Sequence, residues 1–240
     1  MSYVKKGSLF VPTRNLWVPK RGVDWKKDER GFISIPQIGA IAGSRRRSGG
    51  LNTFSDDFTR ANANPISNPS SSGGTWGTVT YSGVRPFKIV SNQSSGRDNG
   101  EQNMVQISSP TFHADQKISA TLVSVSQYGG IAVRCQSLSD PSGYMVYVNA
   151  NAMQVIVTKG NQAGSSTNLV TLEAGEWVSG DILTLEATGT SSTDLKVYKN
   201  GVQYGSTYTD SSSPYTSGQP GLYTYLATAA HSSYVEAEEL

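Results

Sequence analysis

An all-β fold, two antiparallel sheets packed as a sandwich, is predicted by three features of this 240-residue chain. Charged residues make up 16% of it, against roughly 25% in an average soluble domain, and Ser, Thr, Asn and Gly take their place. That exchange favours short strands joined by polar turns over surface helices, whose outer faces need Glu and Lys. The 25 glycines and 10 prolines interrupt helix-length windows. From about residue 54 onward, apolar and polar side chains alternate with a period of two, the mark of half-buried strands.

Residues 1–50 read differently from the rest. They hold 11 basic and 3 acidic residues, a balance of +8, whereas the remaining 190 hold 9 and 15, a balance of −6. Asymmetry of this kind marks a segment with a partner of its own. Pro12, Pro19 and Pro36, with seven glycines, preclude a long helix. The segment is nonetheless too rich in apolar residues, among them Phe10, Trp17, Trp25, Phe32 and Ile35, for a disordered tail. It is expected to be an extended basic arm that docks on another surface through Trp17, Trp25, Arg45, Arg46 and Arg47. The run Arg45-Arg46-Arg47 is short and has no interleaved aromatics, so acidic protein surface is the expected partner in preference to nucleic acid.

Residues 51–240 form the expected sandwich. Ile118, Ala120 and Leu122 alternate with Ser119 and Thr121; Val155 and Val157 with Ile156 and Thr158; Leu183, Leu185 and Ala187 with Thr184 and Glu186. Further strands are predicted at Phe87 to Val90, Met104 to Ser108, Ile131 to Cys135, Tyr144 to Val148, Leu169 to Leu172, Leu195 to Lys199, Leu222 to Tyr225 and Ser233 to Glu238. Asn200-Gly201 between two such runs predicts a tight hairpin, because both residue types tolerate the positive φ of a type I′ turn. No repeat of 20 to 50 residues is apparent, which argues against a propeller or solenoid.

Several of these segments, in this order, resemble the concanavalin A-like lectin/glucanase superfamily in its laminin-G-like form. They are Phe54-Ser55-Asp56-Asp57-Phe58, then Trp76 and Phe87-Lys88-Ile89-Val90, then Gly180-Asp181-Ile182-Leu183 leading to Val197-Tyr198-Lys199-Asn200-Gly201, and finally Ser217-Gly218-Gln219-Pro220-Gly221-Leu222. The resemblance covers about residues 54 to 240. It implies a jelly roll whose first and last strands pair, with Ser55 to Phe58 beside Val235 to Glu239. It also admits a structural calcium near those strands, for which Asp56 or Asp57 would serve; turn and capping roles are the ordinary alternative for such aspartates. No other cofactor is expected.

An enzyme of this superfamily would need paired carboxylates on one strand. The nearest approach is Glu236-Ala237-Glu238-Glu239, where Glu236 and Glu238 share a face, at the very end of the chain. His113 and His231 have no ligand-type neighbours at metal-binding spacing. Cys135, the single cysteine, excludes an intrachain disulfide and reads as a buried thiol. The expectation is therefore a non-enzymatic protein. Sugar sites use aromatic faces, and Tyr128, Tyr144 and Tyr215 are the residues put forward for one; most tyrosines here should be core or cross-strand pairs.

No apolar run approaches the roughly 20 residues of a membrane helix, and Met1-Ser2-Tyr3-Val4-Lys5-Lys6 lacks the apolar core of a signal peptide. Synthesis in the cytoplasm is expected. The reading that joins these features is a virion structural protein of a tailed bacteriophage. Its arm binds capsid or tail proteins as a homo-oligomer or in a lattice, and its sandwich is displayed on the virion surface toward host glycans. The alternatives are a soluble carbohydrate-binding module or lectin, and a polysaccharide hydrolase or lyase whose catalytic pattern has diverged.

Overall fold

The computed structural model describes residues 26–27, 33–34, 51–69, 74–97, 102–125, 128–149, 154–161, 165–173, 176–225 and 230–240. The chain divides into two units at the junction of Gly50 and Leu51. Within the first, β1 (Lys26–Lys27) pairs antiparallel with β2 (Ile33–Ser34). Trp17, Trp25 and Arg45 to Arg47, put forward for docking, lie outside the described residues.

The second unit is built from strands, with no helix among the described residues. Sheet I runs, from edge to edge, β13 (Ser165–Glu173), β12 (Gln154–Asn161), β11 (Gly143–Asn149), β10 (Gly129–Cys135), β18 (Gln219–Tyr225), β8 (Gln102–Ser109) and β4 (Thr75–Thr78). A two-residue strand, β5 (Val84–Arg85), runs parallel to β8 at its end. Sheet II runs β16 (Val202–Gln203), β15 (Thr193–Lys199), β14 (Ile182–Thr188), β9 (Gln116–Leu122), β19 (Ala230–Glu239), β7 (Gln93–Gly96) and β6 (Phe87–Val90). To these β3 (Thr53–Asp56) adds on β19 and β17 (Tyr208–Asp210) on β15. The first strand of the unit therefore pairs with the last: Asp56 opposite Val235, Ser55 opposite Glu236, Phe54 opposite Ala237. This is the two-sheet antiparallel jelly-roll sandwich that the resemblance implied, with its first strand two residues earlier than expected.

The alternation read in the sequence is the physical cause of the layering. Along β14, Leu183, Leu185 and Ala187 turn inward and are fully buried, while Thr184 and Glu186 turn outward. The core closes as Ile118, Ala120, Leu122, Leu195, Val197, Val235 and Ala237 of sheet II meet Val105, Ile107, Ile131, Val133, Val146, Val148 and Leu222 of sheet I. Each fully buried leucine or isoleucine contributes about 1.5–3 kcal/mol.

Turn chemistry fixes the register. Asn200 and Gly201 have φ of 52° and 79°, the type I′ geometry expected for them, and set Lys199 opposite Val202. A second tight turn, Ser91-Asn92, has φ of 53° and 60° and joins β6 to β7 with Val90 opposite Gln93. It lacks glycine, and so carries a weaker signal in the sequence.

One irregularity ties the two sheets together. Strand β10 shifts register against β18 between Ala132 and Cys135, where Arg134 takes φ of 55°. The bulge turns the Arg134 side chain into the fold, where it is wholly buried. Its guanidinium donates to the carbonyls of Ala114 (2.9 Å), Gly189 (2.8 Å) and Tyr215 (2.8 Å) and to Thr193 Oγ1 on sheet II (2.6 Å). Gly218 lies against this bulge: a Cβ there would stand 2.5 Å from the Arg134 carbonyl carbon.

Candidate functional site

The outward face of sheet II is a polar grid that follows directly from strand register. Residues directly opposite in a ladder share a face. Tyr198 faces Thr184, Thr184 faces Ser119, Ser119 faces Glu236, and Glu236 faces Ser55, which makes one row across five strands. Two residues along, Lys196, Glu186, Lys117, Glu238 and Thr53 make a second row. On the other side, Ile182 and Tyr234 both face Thr121.

The charged row alternates in sign and is paired along its length. Lys196 Nζ meets Glu186 Oε1 at 2.6 Å, and Lys117 Nζ meets Glu238 Oε1 at 2.6 Å. These bonds hold both lysines above their ordinary pKa, so both stay charged. Tyr198 donates to Glu186 Oε2 at 3.0 Å, and Tyr234 makes a longer bond to Glu236 Oε2 at 3.4 Å. Partial burial, reinforced by the neighbouring carboxylates, pushes both phenols up, so they remain neutral hydrogen-bond donors.

Between the long side chains the face is recessed. Ser119 and Thr184 are only 7% and 8% exposed although they point away from the core, and their hydroxyls bond each other at 2.8 Å. A groove of about 220 Å³ opens beside them, lined by Thr53, Ser55, Lys117, Ser119, Tyr234, Glu236 and Glu238. Its chemistry is that of a many-handed hydrogen-bonding surface: hydroxyls on the floor, the Lys117 ammonium and Glu238 carboxylate already paired, Glu236 held only by the long bond from Tyr234, and Tyr234 itself 39% exposed alongside. Two lysines against Glu186, Glu236 and Glu238 leave one negative charge across the grid, which disfavours an anionic ligand.

The three tyrosines put forward from the sequence fall in two places, both away from this groove. Tyr144 is wholly buried. Its hydroxyl donates to Asp210 Oδ2 at 2.7 Å and accepts the Tyr215 N–H at 3.0 Å, and its ring meets that of Tyr215 edge-on at 5.5 Å. Lys159 closes this cluster, 2.7 Å from Asp210 Oδ2 and over the Tyr215 ring. Burial pushes the Tyr144 phenol up to about 12. With no exposed ring, Tyr144 offers no stacking surface to a sugar. Tyr128 lies on sheet I's outward side, edge-on to Tyr147 at 5.6 Å, beside an apolar cluster that includes Met104, Met145 and Tyr223.

The aspartates considered for calcium have other partners. Asp56, buried, accepts both Arg60 terminal nitrogens, the Phe58 N–H and the Trp76 indole; Asp57 caps the Thr59 N–H at 2.9 Å. Among the described residues no three His, Cys, Asp or Glu side chains gather into a metal-binding group. Glu236 and Glu238 do share the outward face, whereas Glu239 turns inward and binds Asn52 and His113.

Sequence reasoning did not single out Lys117, Ser119, Thr184, Glu186, Tyr198 or Tyr234. Their outward direction was readable from alternation, but that they adjoin was not, since the rows join positions as far apart as Ser55 and Glu236.

No protein-family profile and no curated protein matches the sequence. Solved structures do match, at low identity. They include the carbohydrate-binding module CBM66 from Bacillus subtilis, at 18% identity over 70% of this chain and 89% of that one, with a TM-score of 0.46. Another is the CBM2 module of the evolved Dit of Lactobacillus casei BL23 phage J-1, at 9% over 80% and 97%, with a TM-score of 0.44. A third is the VIP36 exoplasmic/lumenal domain bound to Ca2+ and Man3GlcNAc, at 9% over 80% and 91%, with a TM-score of 0.46. At this level the likeness is one of general fold; the architecture rests on this chain's own strand order and register.

Proposed function

We propose that residues 51–240 are a non-catalytic binding module for neutral saccharides, and that the ligand lies in the groove on the outward face of sheet II. The observation that carries this reading is the groove itself, where hydroxyls, an exposed phenol ring and pre-paired charges converge. A saccharide presents hydroxyls that both donate and accept, together with apolar ring faces that suit an aromatic side chain. Binding is favoured over hydrolysis because Glu238 and Glu186 are tied into salt bridges, and no second unpaired carboxylate joins Glu236 in the groove among the described residues. A glycan array probed with the full chain tests the reading. Retention of defined neutral glycans, abolished in Tyr234→Ala and Glu236→Ala variants that melt like the parent, is the expected result. A flat array overturns it.

Residues 1–50 give the module a context. Their balance of +8 against −6 in the rest favours attachment to an acidic protein surface, and a virion structural role, with the sandwich displayed for host-surface adhesion, accommodates both halves. Co-sedimentation with assembled particles, present for the full chain and lost when residues 1–50 are deleted, is the expected behaviour. Equal sedimentation of the truncated chain sinks the tether.

A further inference from the structure

We infer that the saccharide bound on sheet II is a linear chain lying across the strands, held at one end by Tyr234 and at the other by Tyr198. This rests on the saccharide reading above and specifies the class of ligand. The groove itself is lined as far as Ser119 on β9, and the row of hydroxyls runs on beyond it in the ladder. The hydroxyl floor continues from Ser119 on β9 to Thr184 on β14, both nearly buried, and reaches Tyr198 on β15. From β19, which carries Tyr234 and Glu236, to β15 there are three strand intervals, about 14 Å. A pyranose chain advances by about one strand spacing per ring, so roughly three rings fill that span.

The rows on either side fix the direction. Along one side runs the salt-bridged row from Lys196 to Glu238, whose charges are satisfied in pairs. Along the other, Ile182 is exposed beside Thr121. A chain laid along the strands would have to cross the charged row, whereas one laid across them keeps to the hydroxyl row throughout. The Ser119–Thr184 pair shares a single hydrogen bond, which leaves one hydroxyl proton and several lone pairs for the ligand at the centre of the path. Tyr198 has its hydroxyl fixed by Glu186, and this holds the ring in one orientation as a second stacking platform.

Titration calorimetry of the full chain against neutral β-1,4-linked glucose and N-acetylglucosamine oligomers, from mono- through hexasaccharide, together with the neutral glycans retained on the array, tests this. Affinity should rise with each unit up to the trisaccharide or tetrasaccharide and then level off. Tyr198→Ala should weaken tetrasaccharide binding by about tenfold, the scale of one lost aromatic contact, and leave monosaccharide binding unchanged. Tyr198→Phe, which keeps the ring, should retain most of the affinity. Tyr234→Ala should weaken both ligands. Affinity that depends on Tyr234 and Glu236 but not on chain length or Tyr198 overturns the extended path and leaves the saccharide site standing. No binding of any of these saccharides by the parent chain overturns both.

Discussion

The carboxylate of Asp56 accepts the indole N–H of Trp76 at 2.7 Å, joining the first strand of sheet II to the edge strand of sheet I. The same carboxylate takes both terminal nitrogens of Arg60, at 2.5 and 2.8 Å, and is 1% exposed. Phe54 packs edge-on against the Trp76 ring at 4.7 Å. A charged group is thus buried at a sheet corner and satisfied on every side.

Removing that carboxylate should destabilise the sandwich more than removing the indole. Asp56→Ala strands a mostly buried guanidinium and should cost about 3–5 kcal/mol. Trp76→Phe deletes one hydrogen bond and some packing, and should cost about 1–3 kcal/mol. Urea unfolding of both variants gives the comparison; equal losses would mean that the Arg60 pair adds nothing.

Arg134 should not be replaceable by lysine. Four acceptors converge on its planar fork, three of them backbone carbonyls. A lysine ammonium reaches fewer of them and leaves the others buried without a donor. Arg134→Lys should therefore cost roughly 2–4 kcal/mol, at about 1–3 kcal/mol per stranded acceptor. A lysine variant as stable as the parent in urea would refute this account of the bulge.

Acid should weaken the fold in two successive windows. His231 is wholly buried, and burial pushes it down to about 4, against the opposing hydrogen bond to Gly130. Its unfolded value is 6.5, so the unfolded chain binds the proton first and stability falls as pH drops from 6.5 to about 4. Burial alone would push Glu239 up, but donors from His113 and Asn52 outweigh it and hold the carboxyl at about 2. Its contribution is complete above 4.5 and is lost as pH falls toward 2. Each window amounts to about 3 kcal/mol, at 1.36 kcal/mol per unit. Melting temperature followed against pH should show both; His231→Phe should flatten only the upper one, and Glu239→Gln only the lower.

Cys135 should be silent in the native protein. The thiol is fully buried, and burial pushes its pKa up, away from thiolate. A colourimetric thiol reagent should give no signal until denaturant is added, and then one equivalent. Rapid labelling without denaturant would mean that β10 opens locally.

The strands themselves were open to prediction because period-two alternation is local: Phe87 to Val90 and Leu195 to Lys199 could be read without knowing their partners. The Asn200-Gly201 turn was equally legible, since its geometry depends on two residues. The Arg134 bulge was not. Nothing in Ile131-Ala132-Val133-Arg134-Cys135 marks the arginine as buried; its acceptors come from Ala114, Gly189, Thr193 and Tyr215.

The sequence alone determined the all-β class, the charge division at residue 50 and, away from the Arg134 bulge, which side chains along the regular strands face in or out, because these follow from composition and from pleat. Only the tertiary structure decided which outward residues stand together. Tyr144 and Tyr198 look alike in the sequence, each in an alternating strand, yet one is locked under Tyr215 and the other ends an open row of hydroxyls. The physical reason is register: a side chain's direction is set by its own backbone, but its neighbours are set by ladder bonds to strands far away in the chain.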